Sequence, residues 1–269
     1  MCSTDKLKLK TKYDSMRCIH QECISFYLCK VVRKMILEEY LEQGLAEWKI
    51  PYDGQTLDRF RRYYSMLEET NKVMNLTAIE GEKDTAQLHF LDCAALLNHA
   101  ALEGKTVADI GTGAGFPGMV LKILCPETRF VLIDSLDKRI RFLQETCEAL
   151  QLTDITCVHA RAEELPQEFR EHFDVVTSRA VARLSVLAEL CIPYTRQGGQ
   201  FIAMKGPDCG EEITEAREAV RKLGGKPARK EDYTIPGTDI THSLVSVCKD
   251  GITSRQYPRR WAQIKKSPL

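Results

Sequence analysis

Apolar and polar positions alternate in two different textures along the chain. Over 35–97 the apolar residues recur at spacings of three and four. Ile36, Leu37, Tyr40, Leu41, Leu45 and Trp48 predict an amphipathic helix ended near Pro51. A second helix is predicted over about 57–74, with Leu57, Phe60, Tyr64, Leu67 and Val73 inward and Arg59, Arg61 and Arg62 toward solvent. A third, over about 84–97, follows the turn-like NLTAIEGEKD and carries His89, Phe90, Leu91 and Asp92. From Lys105 onward, short apolar runs alternate with helical patterns, the signature of a parallel sheet wrapped by helices. Strands are expected near 106–110, 129–133, 155–159, 173–178, 199–204, 230–235 and 242–248. The clearest helix between them spans 136–150, where Leu136, Ile140, Leu143, Cys147 and Leu150 share a face.

Within that second texture, VADIGTGAGFPG runs a buried-looking strand, Val107 to Ile110, into Gly111, Gly113 and Gly115 and then into a helical pattern. Backbone without side chains lets a ligand approach closely there. Two acids bear on what that ligand is. Asp109 stands two residues before the first glycine, where a carboxylate would repel a pyrophosphate but suit an ammonium or sulfonium. Asp134 ends the next strand, 19 residues after Gly115, at the separation from which an acid reaches ribose hydroxyls. Together they favour the adenosyl ligand S-adenosylmethionine; the structural alternatives are a turn carboxylate at Asp109 and a helix cap at Asp134. No Lys-Ser or Lys-Thr follows the glycines, so a nucleoside triphosphate lacks its usual partners.

Composition narrows the class. No stretch approaches the roughly 18 consecutive apolar residues of a spanning helix, so a soluble, cytoplasmic protein without membrane contact is expected. The eleven cysteines are scattered, odd in number and nowhere spaced as C-x-x-C, which predicts reduced thiols and no metal site. Cys125, Cys147, Cys157, Cys191 and Cys248 fall in apolar patterns and read as small core residues. The formal net charge of zero hides +5 on residues 1–34 and +5 on 255–269, leaving −10 on the body between them. A nucleic-acid partner would therefore meet local patches rather than a global field.

The motifs NLTAI, HFLDC, DIGTGAGFPG, LIDSLDKRIRFL, ARAEEL, SRAVA, GGQFIAMKG and the ending YPRR…PL occur in order over about 35–269. In these the chain resembles the bacterial small-subunit rRNA guanine-N7 methyltransferases of the glucose-inhibited division protein B type. The resemblance implies a seven-stranded, mainly parallel, Rossmann-like methyltransferase sheet in an α/β fold, preceded by a helical segment. It implies transfer of a methyl group from S-adenosylmethionine to one guanine near the decoding region of 16S rRNA, in the free RNA or the small ribosomal subunit. The family's cofactor contacts fall on Gly111, Phe116, Ala162, Glu163 and Arg179, to which the reading of the residues adds Asp109, Gly113 and Asp134. The implied divisions are an extension at 1–34, a helical segment at 35–103, the methyltransferase domain at 104–250 and a basic tail at 251–269. Met35 is then the expected functional start.

Guanine N7 carries no proton in the neutral base, so no general base and no catalytic residue is assigned. CIPY at 191–194 resembles a methyltransferase catalytic tetrapeptide, but it stands before the Gly198–Gly199 turn instead of after the fourth strand and is assigned to the core. His89 and Asp92, three apart, could pair beside the site. RNA contacts are expected from Arg59, Arg61, Arg62, Arg183, Lys205, Arg255, Arg259, Arg260, Lys265 and Lys266, with Trp261 available to stack on a base. No obligatory protein partner is evident. Two rival readings are a small-molecule methyltransferase and a non-catalytic, cofactor-binding ribosome-assembly factor.

Overall fold

The computed structural model describes residues 35–269, and the expected extension at 1–34 lies outside them. Helix α1 (Leu37–Glu47) buries Leu37, Leu41 and Leu45 as its spacing requires. Helix α2 (Gly54–Met74) begins three residues before its apolar periodicity does. Asp53 and Thr56 form a capping box there: the Asp53 carboxylate accepts the Thr56 amide at 2.8 Å and the Thr56 hydroxyl accepts the Asp53 amide at 3.4 Å. The last turn of α2 runs past the core, so Val73, expected inward, is 81% exposed. Residues 82–98 form a third helix, α3, with a π-helical stretch at Thr85–Leu91 that buries His89 and leads into buried Asp92.

Seven strands follow: β1 (Thr106–Ile110), β2 (Arg129–Asp134), β3 (Ile155–His159), β4 (Phe173–Arg179), β5 (Thr195–Lys205), β6 (Arg229–Thr234) and β7 (Thr241–Cys248). They form one sheet in the order β3-β2-β1-β4-β5-β7-β6. Every pairing from β3 to β5 is parallel, while β7 runs antiparallel to both β5 and β6. Strand β5 starts four residues earlier than its apolar run, because a register irregularity lets Thr195 pair with Phe173 before Gln200 pairs with Val175. The helices between strands are α4 (Gly118–Leu124), α5 (Asp137–Ala149), α6 (Leu184–Cys191), α7 (Gly210–Glu215) and α8 (Arg217–Lys222), and α9 (Trp261–Lys266) closes the chain.

Strand alternation divides the core into two layers. On one face Val107, Phe130 and Ile202 pack with residues of α1 to α5, including Phe60, Tyr63, Phe90, Met119 and Leu143. On the other, Ala108, Ile110, Val176 and Phe201 pack with Leu187, Cys191, Val220 and Ile264 of α6, α8 and α9. Leu136, expected on the inner face of α5, is 42% exposed because it is the residue that caps that helix. The chain winds outward from β1 to β3 and then returns to β4 beside β1. That reversal opens a crevice at the carboxyl ends of β1 and β4, where open α/β sheets bind ligands. Among the described residues no helix is long and apolar enough to cross a membrane.

One contact ties the helical segment to that crevice. The buried Tyr63 hydroxyl of α2 donates to the Ala114 carbonyl at 2.5 Å, bracing the glycine-rich loop from below. Tyr63→Phe keeps the ring stacked on Phe90 but strands the carbonyl, so a loss of about 1–3 kcal/mol in chemical denaturation is expected.

Candidate functional site

β1 delivers the chain into Gly111 at φ 73°, and the Gly111 and Thr112 amides donate to the Ile133 carbonyl at 2.9 and 3.0 Å. The loop is thereby stitched to the end of β2. Its next turn closes when the Gly115 and Phe116 amides donate to the Thr112 carbonyl, both at 2.9 Å. Gly115 adopts φ 108°, and a Cβ there would lie 2.6 Å from the Tyr63 hydroxyl and 2.8 Å from Met119 Cβ. A Cβ on Gly111 would lie 2.5 Å from Val181 Cγ2. The loop therefore lies against its surroundings as bare backbone.

Above it is a cavity of about 490 Å³. Gly111, Gly113, Phe116, Asp134, Ala162, Glu163 and Arg179 all contribute to its wall, as do His89, Arg139 and Trp261. Asp109 does not, which corrects its expected place beside a cationic ligand. Strand alternation turns its side chain onto the sheet face shared with Val107, where it is fully buried and one oxygen accepts the Gly118 amide at 2.8 Å. The other oxygen has no partner, and burial pushes the carboxyl pKa up to about 6. Such a shift destabilises the folded chain as pH rises from about 4 through 6, where the buried group must ionise. Asp109→Asn keeps the Gly118 acceptor without the charge. It is expected to match or exceed wild-type stability at pH 7.5, to lose that advantage as pH falls toward 4, and to leave cofactor affinity unchanged by calorimetry.

Asp134 is 4% exposed and fully committed to local order. One oxygen accepts the Gly113 amide at 2.9 Å and lies 3.4 Å from Arg139 Nη1, while the other accepts the Leu136 amide at 2.9 Å. It is both a turn carboxylate and part of the cavity wall. Across the cavity Ala162 opens a short 3₁₀ turn, Ala162–Glu164, whose Ala162 carbonyl accepts the Tyr194 hydroxyl. The tyrosine of CIPY thus supports the site, and Cys191, fully buried, is core. Glu163 has a buried carboxylate oxygen without a hydrogen-bond partner, its nearest cation being Arg161 Nη1 at 3.7 Å.

Arg179 ends β4 beneath Phe116, its guanidinium carbon 4.8 Å from the ring centroid. Nη1 donates to Asp92 at 2.9 Å and to the Leu88 carbonyl at 3.2 Å, and Nη2 donates to His89 Nδ1 at 2.9 Å. His89 and Asp92 therefore meet through Arg179 instead of pairing with each other. Asp92, 2% exposed, also accepts the Tyr233 hydroxyl at 2.7 Å and bonds His242 Nδ1 at 2.8 Å. Burial works to raise its pKa, but the His242 hydrogen bond and the Arg179 charge hold it below the usual carboxylate range. His89 stacks on Phe116 at 4.2 Å between centroids, and burial, then Arg179, push its pKa down to about 3, so it is neutral.

Half of the expected RNA-contacting cations are already engaged. Arg61 bonds Glu38 and Glu82, Arg183 bonds Glu215 at 2.5 Å, and Lys205 bonds Glu212 and the Ala182 carbonyl, each at 2.7 Å. Arg259 forks onto the fully buried Glu189 at 2.6 and 2.7 Å, and Arg62 donates to the Ala149 carbonyl. The partners lie far away in sequence except for Glu212, so the acidic body has absorbed much of the basic complement. Arg59, Arg255, Arg260, Lys265 and Lys266 make no side-chain ion pair among the described residues, and of these Arg260 directly precedes Trp261 of the cavity wall. Tyr63, Tyr194, Tyr233 and His242 lie outside the expected site residues; Tyr63 falls on the Phe60–Leu67 face of α2 and Tyr194 stands in CIPY, while Tyr233 and His242 carry no local signal.

Residues 56–235 match the GidB family, rRNA small subunit methyltransferase G. The chain is 43% identical over 234 residues to the ribosomal RNA small subunit methyltransferase G of Clostridium kluyveri, covering 86% of this chain and 98% of that protein. Against the protein of the same name from Clostridium tetani it is 45% identical over the same extent. A solved structure from Pyrococcus horikoshii shares the fold at 12% identity, with a TM-score of 0.50 over 65% of this chain and 66% of that one. A glycine-loop crevice at the centre of a seven-stranded methyltransferase sheet, a family match over most of the chain and relatives aligned nearly end to end place this chain in the rRNA small subunit methyltransferase G family.

Proposed function

We propose that the protein transfers a methyl group from S-adenosylmethionine to N7 of one guanine in the decoding-region loop of 16S rRNA, as a cytoplasmic enzyme. The observation that carries this reading is the single cavity that gathers the glycine loop, Asp134, the Ala162–Glu163 turn and Arg179. An adenosyl ligand fits those residues. The orphaned Glu163 oxygen calls for a donor such as the adenine amino group, and the side-chain-free loop at Gly111 and Gly113 admits close approach. Arg179 has three of its five N–H donors committed to Asp92, Leu88 and His89, which leaves the rest for a carboxylate in the cavity. When bound, S-adenosylmethionine supplies an electrophilic methyl group on a sulfonium.

The acceptor nitrogen is an unprotonated lone pair, so the chain's task is positioning and exclusion of water. Orientation of reactants is worth on the order of 7–11 kcal/mol. The stacked Phe116 and neutral His89 give the cavity an apolar wall, and Arg260, next to Trp261 at its rim, offers a phosphate contact.

The test is to incubate the purified protein and labelled cofactor with naked 16S rRNA, assembled small subunits or a metabolite extract, and to map the label. Label on one guanine N7 is the expected result. Label on a metabolite would replace the reading with a small-molecule methyltransferase, and cofactor binding without transfer would replace it with an assembly factor. Asp134→Ala removes the acceptor of two loop amides and is expected to weaken cofactor binding roughly tenfold or more, read by calorimetry.

A further inference from the structure

We propose that Thr77 is a specificity-determining residue of this site, its hydroxyl donating to O6 of the target guanine. The inference rests on the guanine-N7 reading above. Thr77 lies in the loop between α2 and α3 and is held there by Asn71, whose amide oxygen accepts the Thr77 backbone N–H and whose amide nitrogen donates to the Thr77 carbonyl, both at 2.9 Å. Its side chain lines the cavity described above and also a second cavity of about 340 Å³ between α2 and the start of α3. It therefore stands where the cofactor site meets a recess large enough for a nucleobase.

The direction of its hydroxyl proton follows from the neighbours. Arg179 can only donate, so the His89 Nδ1 that meets it at 2.9 Å must accept. His89 is neutral, and its one ring proton is then on Nε2, which lies 2.7 Å from Thr77 Oγ1 and donates to it. The Ile79 amide donates to the same oxygen at 3.0 Å. With both lone pairs of Oγ1 taken, the hydroxyl is left as a donor and nothing else. Guanine presents N7 and O6 side by side, both acceptors, whereas adenine presents its N6 amino donor beside N7. A wall that can only donate accepts the first edge and opposes donor against donor on the second.

The test uses the full chain, small subunits lacking the modification, and the variants Thr77→Val and Thr77→Ser. At saturating cofactor, Thr77→Val is expected to lower kcat/KM for RNA roughly tenfold or more, the worth of a lost hydrogen bond to an oriented acceptor. Its cofactor affinity should stay within about twofold of wild type, and Thr77→Ser should retain most of the activity because it keeps the hydroxyl. Wild-type rates in Thr77→Val, a loss that tracks cofactor affinity, or equal damage in Thr77→Ser would each overturn the proposal. A second measurement needs no variant: small subunits rebuilt with 6-thioguanine at the target, where sulfur is a poor acceptor, should be methylated more slowly by the wild type, and an unchanged rate refutes the contact. If wild-type label maps elsewhere than guanine N7, the functional reading itself fails; label on N7 with an indifferent Thr77 refutes only the contact.

Discussion

Gly115→Ala is expected to abolish cofactor binding, with an affinity loss of a hundredfold or more and a stability loss of about 3–5 kcal/mol. Two costs add. At φ 108° the backbone occupies a region L-residues rarely adopt, worth about 1–3 kcal/mol. The new methyl would also lie 2.8 Å from Met119 Cβ, which α4 fixes in place, and 2.6 Å from the Tyr63 hydroxyl that braces the loop. Relief of that overlap must push the loop upward, into the cavity it floors. Gly104→Ala is the control, because Gly104 has φ 70° and open space around its Cβ position. It should cost only the backbone term, about 1–2 kcal/mol, and leave calorimetric cofactor affinity intact. Equal damage from both substitutions would show that the loop's close packing is irrelevant to binding.

Arg179→Met is the second large effect. It removes the cation facing Asp92 while leaving that carboxylate buried, a change that costs about 3–5 kcal/mol when one partner of a buried pair is lost. It also frees His89 Nδ1 and removes the positive charge from beneath Phe116, so cofactor affinity should fall with stability. The pH dependence identifies the cause. A carboxyl held below its unfolded pKa contributes stability above roughly pH 4, which is lost as pH falls through the folded value. The deficit of Arg179→Met should therefore be greatest near neutrality and shrink in acid as Asp92 protonates. Arg179→Lys should not rescue it, because a point charge cannot span Asp92, the Leu88 carbonyl and His89 as the planar fork does.

The sheet was legible because its strands are short apolar runs whose ends coincide with turns, and all seven fall within a few residues of their expected places. The glycine loop, Asp134, the Ala162–Glu163 turn and Arg179 could be located from motif order, and the fold brings them to one cavity. Asp109, expected beside the ligand, faces the core as β1 requires: a residue two after Val107 shares its face, and that face is core. Pairing was not legible at all. Arg179 meets Asp92 across 87 positions and Arg259 meets Glu189 across 70, and no local spacing encodes either. The same holds for Tyr194, whose support of Ala162 depends on the turn before β5 meeting the turn after β3. Arg61, Arg183, Lys205 and Arg259, expected at the RNA, therefore also neutralise acids of their own chain.

The fork between Arg259 and Glu189 has a consequence for how such a chain can drift over generations. Glu189 is fully buried in α6, so losing Arg259 from the terminal residues would leave its carboxylate without its partner, at a cost of about 3–5 kcal/mol. Neither residue is free to mutate first. Loss of the acid leaves a guanidinium without its seat, and loss of the base leaves a charge entombed, so the two can be exchanged only together, for example for a pair of aliphatic residues. The hind end of the molecule, for all its cationic and solvent-facing look, is thereby tied in stability to a helix some seventy residues upstream.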